Sequence, residues 1–153
     1  MVSQLDESRA KQILLLAPTL VGESLAIQLS NDKNNLKVYL NKQTLNNKPD
    51  LIIFYIENTE YINAIRLELI KLKERWKSKP ILLIIPDNFN LVSDEILDLS
   101  SEGIIQNPTL ETLKESIQKL LNGGRVLKIK AYSGEVKDQY INSYGLGKLL
   151  LIS

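Results

Sequence analysis

The fold of this chain is decided by residues 49–56, which read Pro-Asp-Leu-Ile-Ile-Phe-Tyr-Ile. This run is too short for a helix, and its apolar character is typical of a strand that is buried on both faces of a parallel sheet. Open α/β sheets bind ligands at the carboxyl ends of their strands, where this chain has Tyr55, Glu57 and Asn58. A phenol rather than a catalytic group therefore stands at the end of the predicted central strand.

Four more segments have the pattern of strands, and they lie at residues 13–16, 36–40, 80–86 and 103–106. The segment 80–86 is wholly apolar between two prolines, which indicates a second strand in the interior of the sheet. Residues 36–40 alternate with a period of two, which indicates a strand that is buried on one face and lies near an edge of the sheet.

Helical spacing of apolar residues follows most of these strands. The inward-facing residues of the three best-defined helices are Val21, Leu25 and Leu29; Ile62, Ile65, Leu69, Leu72 and Trp76; and Leu110, Leu113, Ile117 and Leu120. Thr109 is expected to cap the last of these helices, and Gly123-Gly124 to end it. A shorter helix is predicted over residues 93–99.

The connection between the second and third strands is unusually short. Only eight residues, 41–48, separate them, whereas a parallel crossover usually needs about a dozen or more. We therefore expect a shortened helix or an irregular loop there. Right-handed crossovers with helices on both faces then predict an α/β fold, a doubly wound parallel sheet in which βα is repeated five times with strand order 2-1-3-4-5.

Composition excludes several classes of function. The 19 basic and 18 acidic residues leave a net charge of +1, so no chain-wide field attracts nucleic acid or an anionic membrane. The absence of Cys and His excludes disulfides, thiolate catalysis, Ser-His triads and the commonest zinc sites. No apolar run approaches the roughly 18 residues of a membrane span, and residues 1–12 are unlike a signal peptide. The sequence therefore predicts a cytoplasmic protein.

Residues 125–153 do not follow the βα pattern. They carry five basic and two acidic residues, a net charge of +3, whereas residues 1–124 carry 14 basic and 16 acidic residues, a net charge of −2. Tyr132, Tyr140 and Tyr144 lie among the lysines, and basic charge with aromatic rings can bind single-stranded nucleic acid. Packing on its own domain, or a link to a following domain, is the favoured interpretation. We predict a domain at residues 1–127 and an extension or linker at 128–153, whose apolar end packs on a partner or leads into further chain.

Three short motifs, together with their order along the chain, resemble those of a known family. They are Pro-Asp-Leu-Ile-Ile-Phe before position 55, Leu-Val-Gly-Glu-Ser-Leu at residues 20–25 and Leu-Leu-Asn-Gly-Gly-Arg at residues 120–125. Together they make residues 11–127 similar to the CheY-like receiver domains of bacterial two-component response regulators. The same domain also resembles the one that opens certain conserved cyanobacterial and plastid proteins. The resemblance implies a flavodoxin-like fold and a role in signal transduction.

The resemblance also identifies the positions of the receiver site. A working receiver needs an acceptor carboxylate, two acids for Mg²⁺, a hydroxyl and a lysine, and the corresponding positions here are Tyr55, Ala17 with Pro18, Ile85 and Asn107. These residues supply neither oxygen ligands for Mg²⁺ nor a nucleophile with cationic stabilisation. The resemblance thus implies a pseudo-receiver with no catalytic residue, no metal and no cofactor. It would regulate by protein contact, with another protein or with itself, through the predicted fourth helix, fifth strand and fifth helix.

A second hypothesis places a small-ligand sensor or an enzyme at the carboxyl rim of the sheet. Thr19, Tyr55, Glu57 and Asp87 are the residues that such a site would use, and Glu57 with Asp87 could form a carboxylate pair or a cation site. Loop acids are more commonly solvated turn formers, and a phenol at the mouth of a buried strand is more commonly a packing residue. Concave volume at the rim would distinguish this hypothesis, because a sensor needs a cleft.

The conformation of the peptide bond between Asn107 and Pro108 is a further prediction. In receivers the lysine after strand five precedes a proline through a cis bond, and here the proline remains although the lysine is replaced. X-Pro bonds in folded proteins are cis only about 5–6% of the time, so statistics alone favour trans. The resemblance instead predicts cis at Pro108, because a cis bond would turn the chain sharply into the helix that Thr109 caps.

Overall fold

The computed structural model of the chain describes residues 10–30, 35–41, 48–57, 62–86 and 101–129. Their elements are β1 (Lys11–Leu16), α1 (Thr19–Ser30), β2 (Leu36–Leu40), β3 (Leu51–Tyr55), α2 (Ile62–Arg75), β4 (Ile81–Ile85), β5 (Gly103–Gln106), α3 (Leu110–Leu121) and β6 (Val126–Lys128). None of the helices in these parts of the chain is long and apolar enough to cross a membrane.

The strands form one parallel sheet in the order β2-β1-β3-β4-β5-β6. β3 lies inside this sheet, with Ile53 beside Leu15 of β1 and Leu82 of β4, and all three side chains are fully buried. The order of the first five strands confirms the predicted 2-1-3-4-5 topology. The apolar run 49–56 is therefore the interior strand that its composition predicted.

The edge position predicted for residues 36–40 is also confirmed. β2 pairs with β1 and forms one edge of the sheet. Leu36, Val38 and Leu40 pack into the core on the α1 side, whereas Lys37 is exposed with its Nζ atom 5.5 Å from the centre of the Tyr39 ring. The period of two therefore separates a buried face from a polar one.

A sixth strand is the main difference from the predicted architecture. Val126 to Lys128 pair in parallel with β5, and Val126, Leu127 and Ile129 are all buried. The sequence from residue 125 onward was expected to lie outside the βα pattern, but Val126–Lys128 extend the sheet by one strand. The physical reason is that Val126, Leu127 and Ile129 follow α3, which already connects β5 to this segment. These apolar residues can therefore cover the open edge of β5, and no further helix is needed.

Three of the predictions fall wholly or partly outside the described residues. Leu40 ends β2 and Leu51 begins β3, so ten residues connect them, and residues 42–47 of this connection are not described. The helix predicted over residues 93–99 and the tail with Tyr132, Tyr140 and Tyr144 also lie outside.

Two apolar clusters cover the two faces of the sheet. On one face α1 and α3 pack through residues that include Leu29, Leu113, Ile117 and Leu120. On the other face α2 packs through Ile65, Leu69 and Trp76, and the Arg75 guanidinium lies 4.6 Å from the Trp76 ring. Helices on both faces of a parallel sheet are the doubly wound arrangement.

Two glycines bring the helices of the first face onto the outer strands. A Cβ atom at Gly22 of α1 would collide with the side chain of Leu40 on β2, so the absence of one lets α1 approach β2 closely. At Gly103 of β5 a Cβ atom would lie 2.8 Å from Leu82 Cδ1 and 2.9 Å from Leu120 Cδ1. Glycine at this position lets α3 seat Leu120 directly against β5.

Candidate functional site

The parallel strands bring their carboxyl ends to one edge of the sheet. β1, β3, β4 and β5 end there at Leu16, Tyr55, Ile85 and Gln106, so the five positions that the receiver resemblance identifies follow or end these strands. This edge is where doubly wound sheets bind ligands.

The loop after β1 is held by an asparagine. Asn41 accepts a hydrogen bond from the Ala17 N–H at 2.9 Å through Oδ1 and donates one to the Ala17 carbonyl at 2.8 Å through Nδ2. Pro18 is half-buried, and its carbonyl accepts the 2.7 Å hydrogen bond from Gly22 N–H that opens α1. The predicted acid-pair positions thus carry an internally bonded backbone and two apolar side chains.

Tyr55 and Ile85 end neighbouring strands but face opposite sides of the sheet. Tyr55 is half-buried and packs against the cluster under α1 and α3. Ile85 is buried in the cluster on the α2 side. Ile84 is the register partner of Tyr55 and shares its face. Both predicted positions are therefore parts of the apolar core at this edge.

The turn after β5 corrects the prediction of a cis proline. No peptide bond in the described parts of the chain is cis, so the Asn107–Pro108 bond is trans. Asn107 instead takes a φ of +44°, and its N–H donates a 2.9 Å hydrogen bond to the Ile85 carbonyl. A left-handed residue reverses the chain direction by itself, and Asn tolerates this conformation. The sharp turn that a cis bond would have provided is made one residue earlier.

The turn leads into a capped helix, as predicted. Thr109 Oγ1 accepts a 3.1 Å hydrogen bond from Thr112 N–H at the start of α3. Gln106 Nε2 donates a 3.2 Å hydrogen bond to the Pro86 carbonyl, which ties the turn to the end of β4. At the other end of α3, Gly123 has a φ of +88° and closes the helix. Both ends follow the sequence signals expected of them.

Two substitutions at Asn107 test whether the turn depends on the positive φ of this residue. Asn107→Val should lower the free energy of unfolding by about 1–2 kcal/mol, because a β-branched residue is strained at positive φ. Asn107→Gly should change it by less than about 1 kcal/mol, since glycine adopts this φ freely. Urea denaturation followed by circular dichroism measures both. Equal stabilities for the two variants would contradict the left-handed turn.

A groove opens at this edge between α1 and α3, and we call it the α1/α3 groove. It has a volume of about 450 Å³. Its lining includes Leu20 and Ser24 of α1, Tyr55 and Ile84 on its floor, and Asn107 and Leu110 on the α3 side. Tyr55, Ile85 and Asn107, three of the five receiver-site positions, line it, whereas Ala17 and Pro18 do not. The sequence does not indicate this groove, because it depends on how far apart two helices lie.

Three of the four predicted rim residues, Thr19, Tyr55 and Glu57, lie in the described parts of the chain, and they do not come together in the α1/α3 groove. Thr19 and Glu57 are exposed and do not line the α1/α3 groove, and Asp87 lies outside the described residues. Within the described ranges no group of three or more acidic, His or Cys residues could hold a metal ion. Of the three rim residues that the structure describes, Tyr55 alone lines the groove.

Comparisons with known proteins support the fold. No protein-family model and no curated protein sequence matches this chain. Its structure is similar to a response regulator from Thermotoga maritima, with a TM-score of 0.52 and 17% identity over 74% of this chain and 98% of that one. A LuxR-family two-component response regulator from Aurantimonas sp. SI85-9A1 gives 0.56 and 12% identity, over 86% and 99%. A pilus assembly-related protein from Burkholderia pseudomallei K96243 gives 0.52 and 12%, over 77% and 93%.

Structural similarity at identities this low establishes a common architecture. It leaves the activity and the partners of this chain open. The similarity extends over nearly the whole length of each of these three structures. This chain therefore has the receiver-like, flavodoxin-like α/β fold, extended by a sixth parallel strand.

Proposed function

We propose that this chain is a receiver-like regulatory module of signal transduction that acts through protein contacts and accepts no phosphoryl group. The observation that carries the proposal is Tyr55, which ends the interior strand β3 where a receiver would present its acceptor carboxylate. An enzymatic activity is not part of the proposal. The chemistry of the residues at the carboxyl edge of the sheet supports the proposal.

The environment of Tyr55 is that of a packing residue. Its ring is half-buried against the apolar cluster under α1 and α3, between strands whose neighbouring side chains are aliphatic. A phenol with its ring in an apolar cluster contributes buried area rather than a nucleophile. Phosphoryl transfer to an aspartate requires a carboxylate at this position together with cationic stabilisation of the transition state.

The ligands for a magnesium ion are replaced in the same way. Mg²⁺ is held in phosphoryl-transfer sites by one or two carboxylates together with phosphate oxygens. Ala17 and Pro18 follow β1, and the side chain that reaches this loop is the amide of Asn41. Among the described residues that directly follow the strands, Glu57 carries the only carboxylate, and it is exposed.

The protein-contact part of the proposal concerns α3 and the edge of the sheet beside it, which is formed by β6 and not by the predicted fifth strand because β6 pairs with β5. The outward residues of α3 carry both signs of charge, with Glu111 and Glu115 beside Lys114 and Lys119. Mixed charge of this kind is suited to a specific polar interface. Residues 93–99, which would complete this face, lie outside the described residues. A second copy of the chain and another signalling protein are both compatible with it.

Beryllofluoride with Mg²⁺ tests the proposal, because it mimics an aspartyl phosphate. We expect amide resonances of Ala17, Tyr55 and Asn107 in ¹H–¹⁵N spectra to stay within the error of the measurement. A phosphorylatable receiver domain in the same buffer is the positive control. Saturable shifts of these three resonances in this protein would overturn the proposal.

A single substitution at the acceptor position provides the matched control. Tyr55→Asp should remain without a phosphate after treatment with acetyl phosphate, as judged by intact mass, because Ala17, Pro18 and Asn107 still lack the acids and the lysine. The variant should also be less stable, since it exchanges a half-buried ring for a charge. A labile phosphate on this variant would contradict the assignment of the neighbouring positions.

A further inference from the structure

The α1/α3 groove is a product of how the two helices are seated. α1 packs mainly on β1 and β2, where Gly22 lets Leu40 approach, and α3 contacts β3, β5 and β6, where Gly103 lets Leu120 approach. Tyr55 and Ile84, at the carboxyl ends of β3 and β4, line the groove between the two helices. The positions of the two helices on the sheet therefore define its two walls.

The residues that the structure describes in the lining of this groove carry no charge. In a chain with 24% charged residues, none of the described lining residues is Asp, Glu, Lys or Arg. Leu25, Leu110 and Leu113 supply apolar walls, and the amide of Gln28 and the phenol of Tyr55 are among its few polar groups. A ligand that enters this space loses its water, so a charged group without a partner would bind at a large cost.

An exposed leucine lies at the rim of the groove, which also carries the polar side chains of Ser24, Gln28, Asn107 and Thr109. Leu20, in the first turn of α1, is 83% exposed and lines the mouth of the groove. α1 has Glu23 as its only charged residue, and Ile27 on the same helix is also exposed. The exposed leucine is therefore a surface that a ligand in the groove would cover.

We infer that the α1/α3 groove binds a small, uncharged, largely apolar molecule that carries one or two hydrogen-bonding groups. The volume of about 450 Å³ lies within the range of small-molecule sites, and an apolar pocket with a few polar groups is their usual composition. The inference goes beyond the proposed function. A ligand that is seated against Tyr55 and Asn107 contacts both the end of β3 and the turn into α3, so it would link the groove to the proposed protein-contact face.

Matched aromatic probes test the chemical class. The probes are 2-naphthol, its anionic counterpart 2-naphthoate and its cationic counterpart 2-naphthylmethylammonium, titrated into the full chain at pH 7. We expect 2-naphthol to shift the amide resonances of Ser24, Gln28, Asn107 and Leu110 saturably and to bind at least about tenfold more tightly than either ion, a difference of about 1.4 kcal/mol. The indole resonance of Trp76, on the opposite face of the sheet, should not move.

Two serines of α1 provide a matched pair of variants. Ser24 and Ser30 are both exposed, but only Ser24 lines the groove. Ser24→Phe should fill the groove and weaken 2-naphthol binding at least about tenfold, whereas Ser30→Phe should leave it unchanged. Circular dichroism and the urea midpoint verify that both variants fold.

Three results would overturn the inference. One is equal affinity for the three probes, and another is a set of shifts that scatter over the surface without saturation. The third is a dimer in sedimentation velocity that Ser24→Phe dissociates, since the groove would then belong to an interface between two copies. None of these results changes the expected response to beryllofluoride, so the two proposals fail separately.

Discussion

Leu127→Ala should lower the free energy of unfolding by about 2–5 kcal/mol, the usual cost of emptying a fully buried leucine site. Leu127 lies in β6, is 1% exposed and packs in the apolar cluster on the α2 side of the sheet. Its register partner is Ile104 of β5, which is fully buried. The three-residue strand is thus expected to be an integral part of the core.

Urea denaturation followed by circular dichroism measures this change, and the neighbouring residue provides the control. Lys128 is half-buried and ends the same strand, so Lys128→Ala should cost less than about 1 kcal/mol. A cost below about 0.5 kcal/mol for Leu127→Ala would mean that the sheet ends at β5. The receiver-like core would then be complete with the five strands that the sequence predicts.

Gly103→Val should lower the free energy of unfolding by about 3 kcal/mol, near the upper end of the cost of overpacking a core. The new Cβ atom would lie within 3 Å of methyl carbons of Leu82 and Leu120, which are 0% and 2% exposed. The higher strand propensity of valine offsets part of this cost but does not remove the collision.

A double-mutant cycle tests the cause of that loss. Leu120→Ala alone should also destabilise the chain, but Gly103→Val combined with Leu120→Ala should cost less than the sum by about 1–3 kcal/mol, because the shortened side chain makes room for the valine. Ile105→Val, two residues along β5, controls for substitution within the strand and should cost about 0.5–1.5 kcal/mol. Simple additivity of the two changes would show that Gly103 is not needed for seating α3.

The interior of the fold could be predicted from the sequence because its signals are local and unambiguous. Residues 49–56 are apolar without a helical period, and they form the interior strand. Thr109 and Gly123 are placed where a helix needs a cap and a left-handed end, and they occupy those roles in α3. In each case one short segment specifies its own structure.

The features that escaped prediction depend on distant partners. Val126 to Lys128 are too few to be distinguished from a loop, and their strand exists because β5 offers an open edge. The resemblance predicted a cis bond at Pro108, whereas the turn is made by the positive φ of Asn107, which is not evident from residue type alone. Gly22 and Gly103 reveal their roles only when their neighbours on other elements are known.

The sequence identified the residues at the candidate site but not how they are grouped in space. These residues are Ala17, Pro18, Tyr55, Ile85 and Asn107. Three of them share the α1/α3 groove, and Ala17 is instead bound by Asn41, a residue 24 positions later in the chain. Such pairing depends on the parallel register of β1 and β2. Residue types thus indicated the missing chemistry, and the three-dimensional arrangement was needed to find a cavity.

The lysine on the edge strand β2 has a consequence for behaviour at high concentration. With a net charge of +1 and an isoelectric point near 7.8, the chain gains little colloidal repulsion at neutral pH. Parallel edges with unpaired backbone groups are templates along which one molecule can add its strand to another. Lys37 projects from β2 beside Tyr39, and a second β2 docked there would have to bury this charge or oppose it with its own. One local charge thus protects against edge-to-edge aggregation in a chain that is nearly neutral as a whole.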